Sequence, residues 1–205
     1  DTKALDRRKW GSEQCPYDGT LSRVSGVVVM AKLPIYLIQE GLTEDGLDEV
    51  ADSLAHTGIR FELDNGRLIL MSPVKAWHMD VSRRMCNVLV ARGKHAYQEQ
   101  GIRINKRKVR YPDVGVFWAK PDLDRSRHDA ADFALVIEVV SPDSVEEDRV
   151  VKPRVYAAAG IPEYWIVDRH PTDREDAVVE YFKLSVSGAY ERTGEAALSD
   201  LEKTG

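Results

Sequence analysis

The sequence predicts one domain of the α/β or α+β class, a mixed β-sheet with helices packed against it. Three observations carry this. Helical and strand periodicities alternate along the chain, with no internal repeat. Residues 133–140 are almost wholly apolar, the pattern of a central strand buried on both faces. Asn65-Gly66 stands between two short apolar runs, the strongest local signal for a β-hairpin. A length of 205 residues suits one such domain and a short arm.

In order along the chain, residues 1–30 mix Gly, Ser, charge and single aromatics without periodicity and read as an N-terminal arm, poorly ordered or tied down by a partner. Residues 31–205 form the domain. Thr43 fits a helix N-cap, with Leu47, Val50, Ala51 and Leu54 at helical spacing and Gly58 as the stop. Ile59, Phe61 and Leu63 alternate as a strand, and residues 67–71 return after the Asn-Gly turn. The spacing then predicts a helix over residues 77–97 with Val81, Met85, Val88 and Leu89 on its apolar face. A basic stretch leads into a short strand over 114–118, and the buried strand over 133–140 follows a charged loop. Residues 144–159 read as a helix ended by Gly160, residues 163–168 as a strand, and 178–184 with 189–192 as a last hairpin.

Composition excludes several classes. The 29 Lys plus Arg stand against 34 Asp plus Glu, so the formal charge is −5 and a basic surface over the whole molecule is ruled out, though a local basic patch is not. No apolar run approaches the ~18 residues of a membrane span. The two cysteines, Cys15 and Cys86, lie in unlike surroundings and supply neither a disulfide framework nor a four-cysteine zinc site; they read as reduced thiols of a cytoplasmic protein.

The most informative residue is Glu138, an acid inside an otherwise apolar strand. Burying a carboxylate costs several kcal/mol unless a cation or donors offset it. An Arg or Lys partner, a strand end that reaches water, or a metal ion would each do so. Asp113 opens the preceding predicted strand after Pro112, and two acids at the ends of adjacent strands can converge on one divalent cation. Pro-Asp alone is a weak signal, since it recurs at Pro121-Asp122 and Pro142-Asp143. Asp148, Lys152 and Tyr156 share one helix face at four-residue spacing, either as a solvated ion pair or with the Lys152 ammonium delivered to the site; Pro153 would break that helix or start a second one. Glu62 is either a solvent-facing acid or a member of the same site, and His78 a capping or core histidine or a neighbour of Asp113. Arg103, Lys106, Arg107, Lys108 and Arg110 form a basic run that leads to Asp113, fit either to hold a phosphate backbone or to protect a sheet edge.

These segments together resemble the PD-(D/E)XK nuclease superfamily and, within it, the Uma2 family. They are residues 61–66 (Phe-Glu-Leu-Asp-Asn-Gly), Met71-Ser72-Pro73 with His78, Tyr111-Pro112-Asp113-Val114, residues 137–142 (Ile-Glu-Val-Val-Ser-Pro), and Asp148 to Lys152 with Tyr156 and residues 159–168. The resemblance runs over residues 36–190. It implies a restriction-endonuclease-like fold, a mixed central sheet flanked by helices, with Asp113 and Glu138 as metal-binding acids and Glu62 as a further acid able to complete the metal site. The strand lysine of the superfamily is absent, since Val140 stands there; Lys152 matches the lysine that this family carries on the next helix. His78 matches a recurrent histidine. The activity implied is Mg²⁺-dependent hydrolysis of DNA phosphodiester bonds, with Mn²⁺ able to substitute, and a homodimer suits cutting two strands. Two other readings stand beside it: a catalytically silent module of the same fold that binds protein or nucleic acid, and a different metal-dependent phosphodiesterase.

Overall fold

The structure is a computed structural model that describes residues 41–54, 60–71, 73–142 and 144–204. The predicted arm, Cys15, Gly58 and Ile59 lie outside the described residues. The chain runs α1 (Glu44–Leu54), β1 (Phe61–Asp64), β2 (Arg67–Leu70), α2 (Ala76–Ala91), β3 (His95–Gln98), β4 (Gly101–Asn105), β5 (Lys108–Arg110), β6 (Val114–Phe117), β7 (Arg127–Asp129), β8 (Phe133–Val139), α3 (Lys152–Ala158), β9 (Glu163–Arg169), β10 (Ala177–Leu184), β11 (Tyr190–Ala197) and α4 (Leu198–Lys203). Among the described residues no helix is long and apolar enough to cross a membrane.

The strands make two mixed sheets. The larger has the order β11-β10-β9-β8-β6-β3, and the smaller β2-β1-β5-β4-β7. In the larger sheet every pairing is antiparallel except β8 with β9, which is parallel and therefore needs a crossover; α3 lies in that connection. The expected central sheet is this one. The second sheet arises because β1, β2, β4 and β5 are short strands in tight hairpins, joined in parallel fashion only through β4 and β7.

Two apolar clusters cover the two faces of the larger sheet. Val81, Met85, Val88 and Leu89 of α2 pack with Leu135, Ile137 and Val139 of β8 and with Leu198 of α4. Val136 and Val140 face the other way, with Tyr156 of α3, Tyr164, Phe133 and Ile102. β8 is thus buried on both faces, as its apolar run requires.

Several expectations hold and several are corrected. The Thr43 carbonyl accepts the first bond of α1 from Leu47, and Leu47 and Val50 are buried. Asn65 and Gly66 both have positive φ, 51° and 81°, as a type I′ turn demands. The helix predicted to reach Tyr97 ends at Ala91. Gly93 takes φ 73°, and the chain reverses into β3, whose Ala96 is buried against the sheet. The predicted helix 144–159 divides. Pro153 lacks the N–H that would continue a helix ladder, so residues Glu147–Val151 widen into a π turn and α3 restarts with the proline in its first turn. The last hairpin is longer than expected, because β11 continues to Ala197, and α4 follows it.

Candidate active site

The site forms where β6 begins and β8 ends. Val114 pairs with Ile137 in antiparallel register, so the next step of the ladder sets Asp113 opposite Glu138. The backbone N–H of Val139 donates to Asp113 Oδ2 at 2.7 Å, which fixes the aspartate against the strand that carries Glu138. His78, in the first turn of α2, brings Nε2 to 3.2 Å from the same oxygen. Burial lowers the affinity of His78 for a proton. The hydrogen bond to Asp113 and the Asp113 charge outweigh it, and the imidazole pKa is held above its ordinary 6.5.

Glu138 is 1% exposed. Its Oε2 takes a 2.8 Å ion pair from Lys152 Nζ, and its Oε1 accepts a 2.9 Å hydrogen bond from the Tyr156 hydroxyl. Lys152 stands at the junction of the π turn and α3, which directs its side chain inward, and it also lies 2.8 Å from Asp148 Oδ1. That second contact is Coulombic without being a directed hydrogen bond. Asp148 is itself buried, and the Tyr164 hydroxyl holds its backbone carbonyl at 2.7 Å. Burial pushes the Glu138 carboxyl up; Lys152 pulls it back, and the charges of Asp113 and Asp148 push it up again, so that it ends well above the ordinary carboxylate range. Burial works against the Lys152 ammonium, but Glu138 and Asp148 outweigh it and raise its pKa. The pocket is therefore rich in negative charge around one ammonium.

Glu62 is buried, contrary to the solvent-facing alternative. Arg110, 2% exposed, donates to its Oε2 at 2.7 Å and to Asp64 Oδ1 at 3.1 Å, while the Tyr111 N–H takes Glu62 Oε1 at 3.0 Å. The rest of the basic run is mostly paired inside the protein. Arg103 binds Glu44 and, at 2.9 Å, Asp129; Lys108 binds Asp64 at 2.9 Å; Arg107 reaches the Asn65 carbonyl at 3.2 Å. Lys106 is exposed in the turn between β4 and β5.

An open cleft of about 360 Å³ lies over Asp113 and His78, with Ser82, Arg83, Gln98 and Glu99 around it. Asp113 and His78 line this cleft although both are largely buried, and Glu138, Lys152 and Asp148 are not part of its lining. Among the described residues no three His, Cys, Asp or Glu side chains stand in metal-binding geometry. The donor set still fits a divalent cation. It consists of hard carboxylate oxygens, and the Asp113 and Asp148 charges, which add to burial in raising Glu138, are what a cation would offset. Asp148 and Tyr156 were marked in the sequence only by sharing a face with Lys152. Nothing there revealed that both contact the Glu138–Lys152 pair.

Two mixed sheets with helices packed against them define a protein of the α+β class. The chain belongs to the Uma2 family, described as "Putative restriction endonuclease", whose model matches residues 47–202. Among solved structures, one described as a putative nuclease belonging to DUF820, from Anabaena variabilis, is similar in fold. It is 16% identical with a TM-score of 0.52, over 70% of this chain and 89% of that one. A comparison with curated proteins finds no match.

Proposed function

We propose that this protein is a Mg²⁺-dependent endonuclease that hydrolyses phosphodiester bonds of DNA, with Mn²⁺ able to substitute. The observation that carries this reading is the ladder step that sets Asp113 beside Glu138, with the Lys152 ammonium on the second acid. Asp113 and Glu138 would hold the cation. When bound, the cation supplies a Lewis acid that stabilises charge on the phosphate and acidifies a water. Lys152 orients that water or stabilises phosphate charge from the buried side. His78 keeps Asp113 aimed into the cleft and stands where substrate enters. Glu62 joins the cation only if Arg110 shifts its weight to Asp64 and to Glu147, 3.5 Å away. Lys106 and Arg107, in the exposed turn, are the members of the basic run best placed to meet a phosphate backbone. On this reading residues 31–205 act as one domain in the cytoplasm, and a two-fold dimer would address both strands.

Plasmid cleavage with Mg²⁺ or Mn²⁺ at low salt tests the reading. Wild type should cut, and Glu138→Ala and Lys152→Ala should each lose at least the ~10²-fold that removal of one electrostatic stabiliser costs. Equal cutting by all three would expose a contaminant. No cutting, with no Mn²⁺ binding by calorimetry, would favour the catalytically silent module, a reading supported by the closure of Glu138 behind Lys152 and Tyr156.

A further inference from the structure

Lys152 holds two buried carboxylates at once. Its Nζ lies 2.8 Å from Glu138 Oε2 and 2.8 Å from Asp148 Oδ1, and only the first contact is a directed hydrogen bond. Asp148 Oδ1 is buried and has no hydrogen-bond donor aimed at it. Tyr164 donates to the Asp148 backbone carbonyl, and the π turn places the residue four positions before Lys152. Both Glu138 oxygens that a cation could take are engaged, Oε2 by the ammonium and Oε1 by the Tyr156 hydroxyl. A monovalent cation on a flexible stem thus occupies a carboxylate that a divalent one would compete for.

We propose that Lys152 is an exchangeable stand-in for the cation, that cation binding moves the ammonium off Glu138, and that Asp148 is the positioning residue that retains it. This rests on the metal-site reading above. Asp148 then acts through Lys152 rather than as a ligand. The i,i+4 spacing keeps the ammonium near the site after it leaves Glu138, free on the side that faced the acid. A single charge thereby closes the empty site and is released toward substrate only when the site is filled. The arrangement gives opposite signs to two substitutions. Removing the ammonium removes a competitor for Glu138, so affinity for the cation rises. Removing the Asp148 charge leaves Glu138 as the one carboxylate in ion-pair contact with Lys152 among the described residues, so affinity falls.

The test is calorimetric titration of Mn²⁺ into the full chain, as wild type, Lys152→Met, Asp148→Asn and the double variant. Lys152→Met should bind Mn²⁺ about ten-fold more tightly or better, the scale of removing a unit charge a few ångströms away. Asp148→Asn should bind at least about three-fold more weakly than wild type, and the same substitution should cost clearly less in the Lys152→Met background, where Asp148 has no ammonium left to hold and only its own charge is lost. A loss from Asp148→Asn as large in the Lys152→Met background as in wild type would mean that Asp148 acts through its own charge or as a ligand and not through Lys152, and would overturn the proposal. Unchanged or weaker binding by Lys152→Met would also overturn it, while leaving intact a metal site that Glu138→Ala abolishes. If wild type binds no Mn²⁺, both this proposal and the metal-site reading fall. Should Lys152→Met not fold, lysine ¹⁵Nζ NMR on wild type decides. Mg²⁺ should shift the buried ammonium resonance of Lys152, and a resonance unmoved at saturating Mg²⁺ would overturn the exchange.

Discussion

Tyr156 shows how a buried hydroxyl sets the state of an acid. Its O–H is aimed at Glu138 Oε1 in a site that water does not reach. Tyr156→Phe keeps the ring and its packing against Tyr164 but leaves that oxygen without a donor. The expected cost is about 1–3 kcal/mol, the desolvation penalty of an unsatisfied buried acceptor, measured by urea unfolding. His78 gives a pH signature. Its pKa in the folded protein lies above 6.5, so the folded state holds a proton that the unfolded chain has begun to release. The stability contributed by the His78–Asp113 pair is therefore complete below pH 6.5 and is lost as pH rises through the folded value. Melting temperatures recorded without divalent cations should fall over that window, and His78→Gln should flatten the fall.

At the scale of elements, the close approach of β6 and β8 depends on a residue without a side chain. A Cβ on Gly115 would lie 2.6 Å from Cε1 of Phe133, whose ring is itself held against Phe117 at a centroid separation of 4.3 Å. Gly115→Ala should cost about 1–3 kcal/mol by overpacking. Because Asp113 immediately precedes the same strand, it should also weaken Mn²⁺ binding; calorimetry and a denaturation curve read the two effects separately. What was legible in the sequence follows the same division. The Asn65-Gly66 turn, the apolar face of α2 and the strand around Glu138 were legible because their causes are local: positive φ, helical spacing and burial on both faces. The end of α2 carries a local signal in Gly93, past which the predicted helix ran, but the strand after it does not, because only pairing with β6 makes His95 to Gln98 a strand. Pro153 was legible as an interruption, but the form it takes was not, since the π turn ahead of the proline packs where Tyr164 of β9 donates to the Asp148 carbonyl, a contact made only in the assembled fold. The side of the chain on which Lys152 emerges depends on that turn.

At the scale of the molecule, the basic run shows why charge alone misleads. Five cations next to a candidate phosphate site suggest a binding surface, yet Arg110 is among the most buried side chains of the protein and spends its charge on Glu62, Asp64 and Glu147. Pattern along the chain cannot reveal this, because the acids lie on β1 and after β8, brought to Arg110 only by the assembled fold. The cluster thereby ties the β1–β5 pair of the smaller sheet to the segment that leads to Lys152. Arg110→Met should therefore destabilise strongly, by about 3–5 kcal/mol, because it leaves the Glu62 carboxylate buried without its cation. Adding Glu62→Gln to Arg110→Met should recover much of that loss. The amide keeps an acceptor for the Tyr111 N–H and removes the unpaired charge. Urea unfolding of wild type, Arg110→Met and the double variant measures both steps. A double variant no more stable than Arg110→Met would mean that the guanidinium acts through packing and its bonds to Asp64 and Glu147, not through neutralising Glu62.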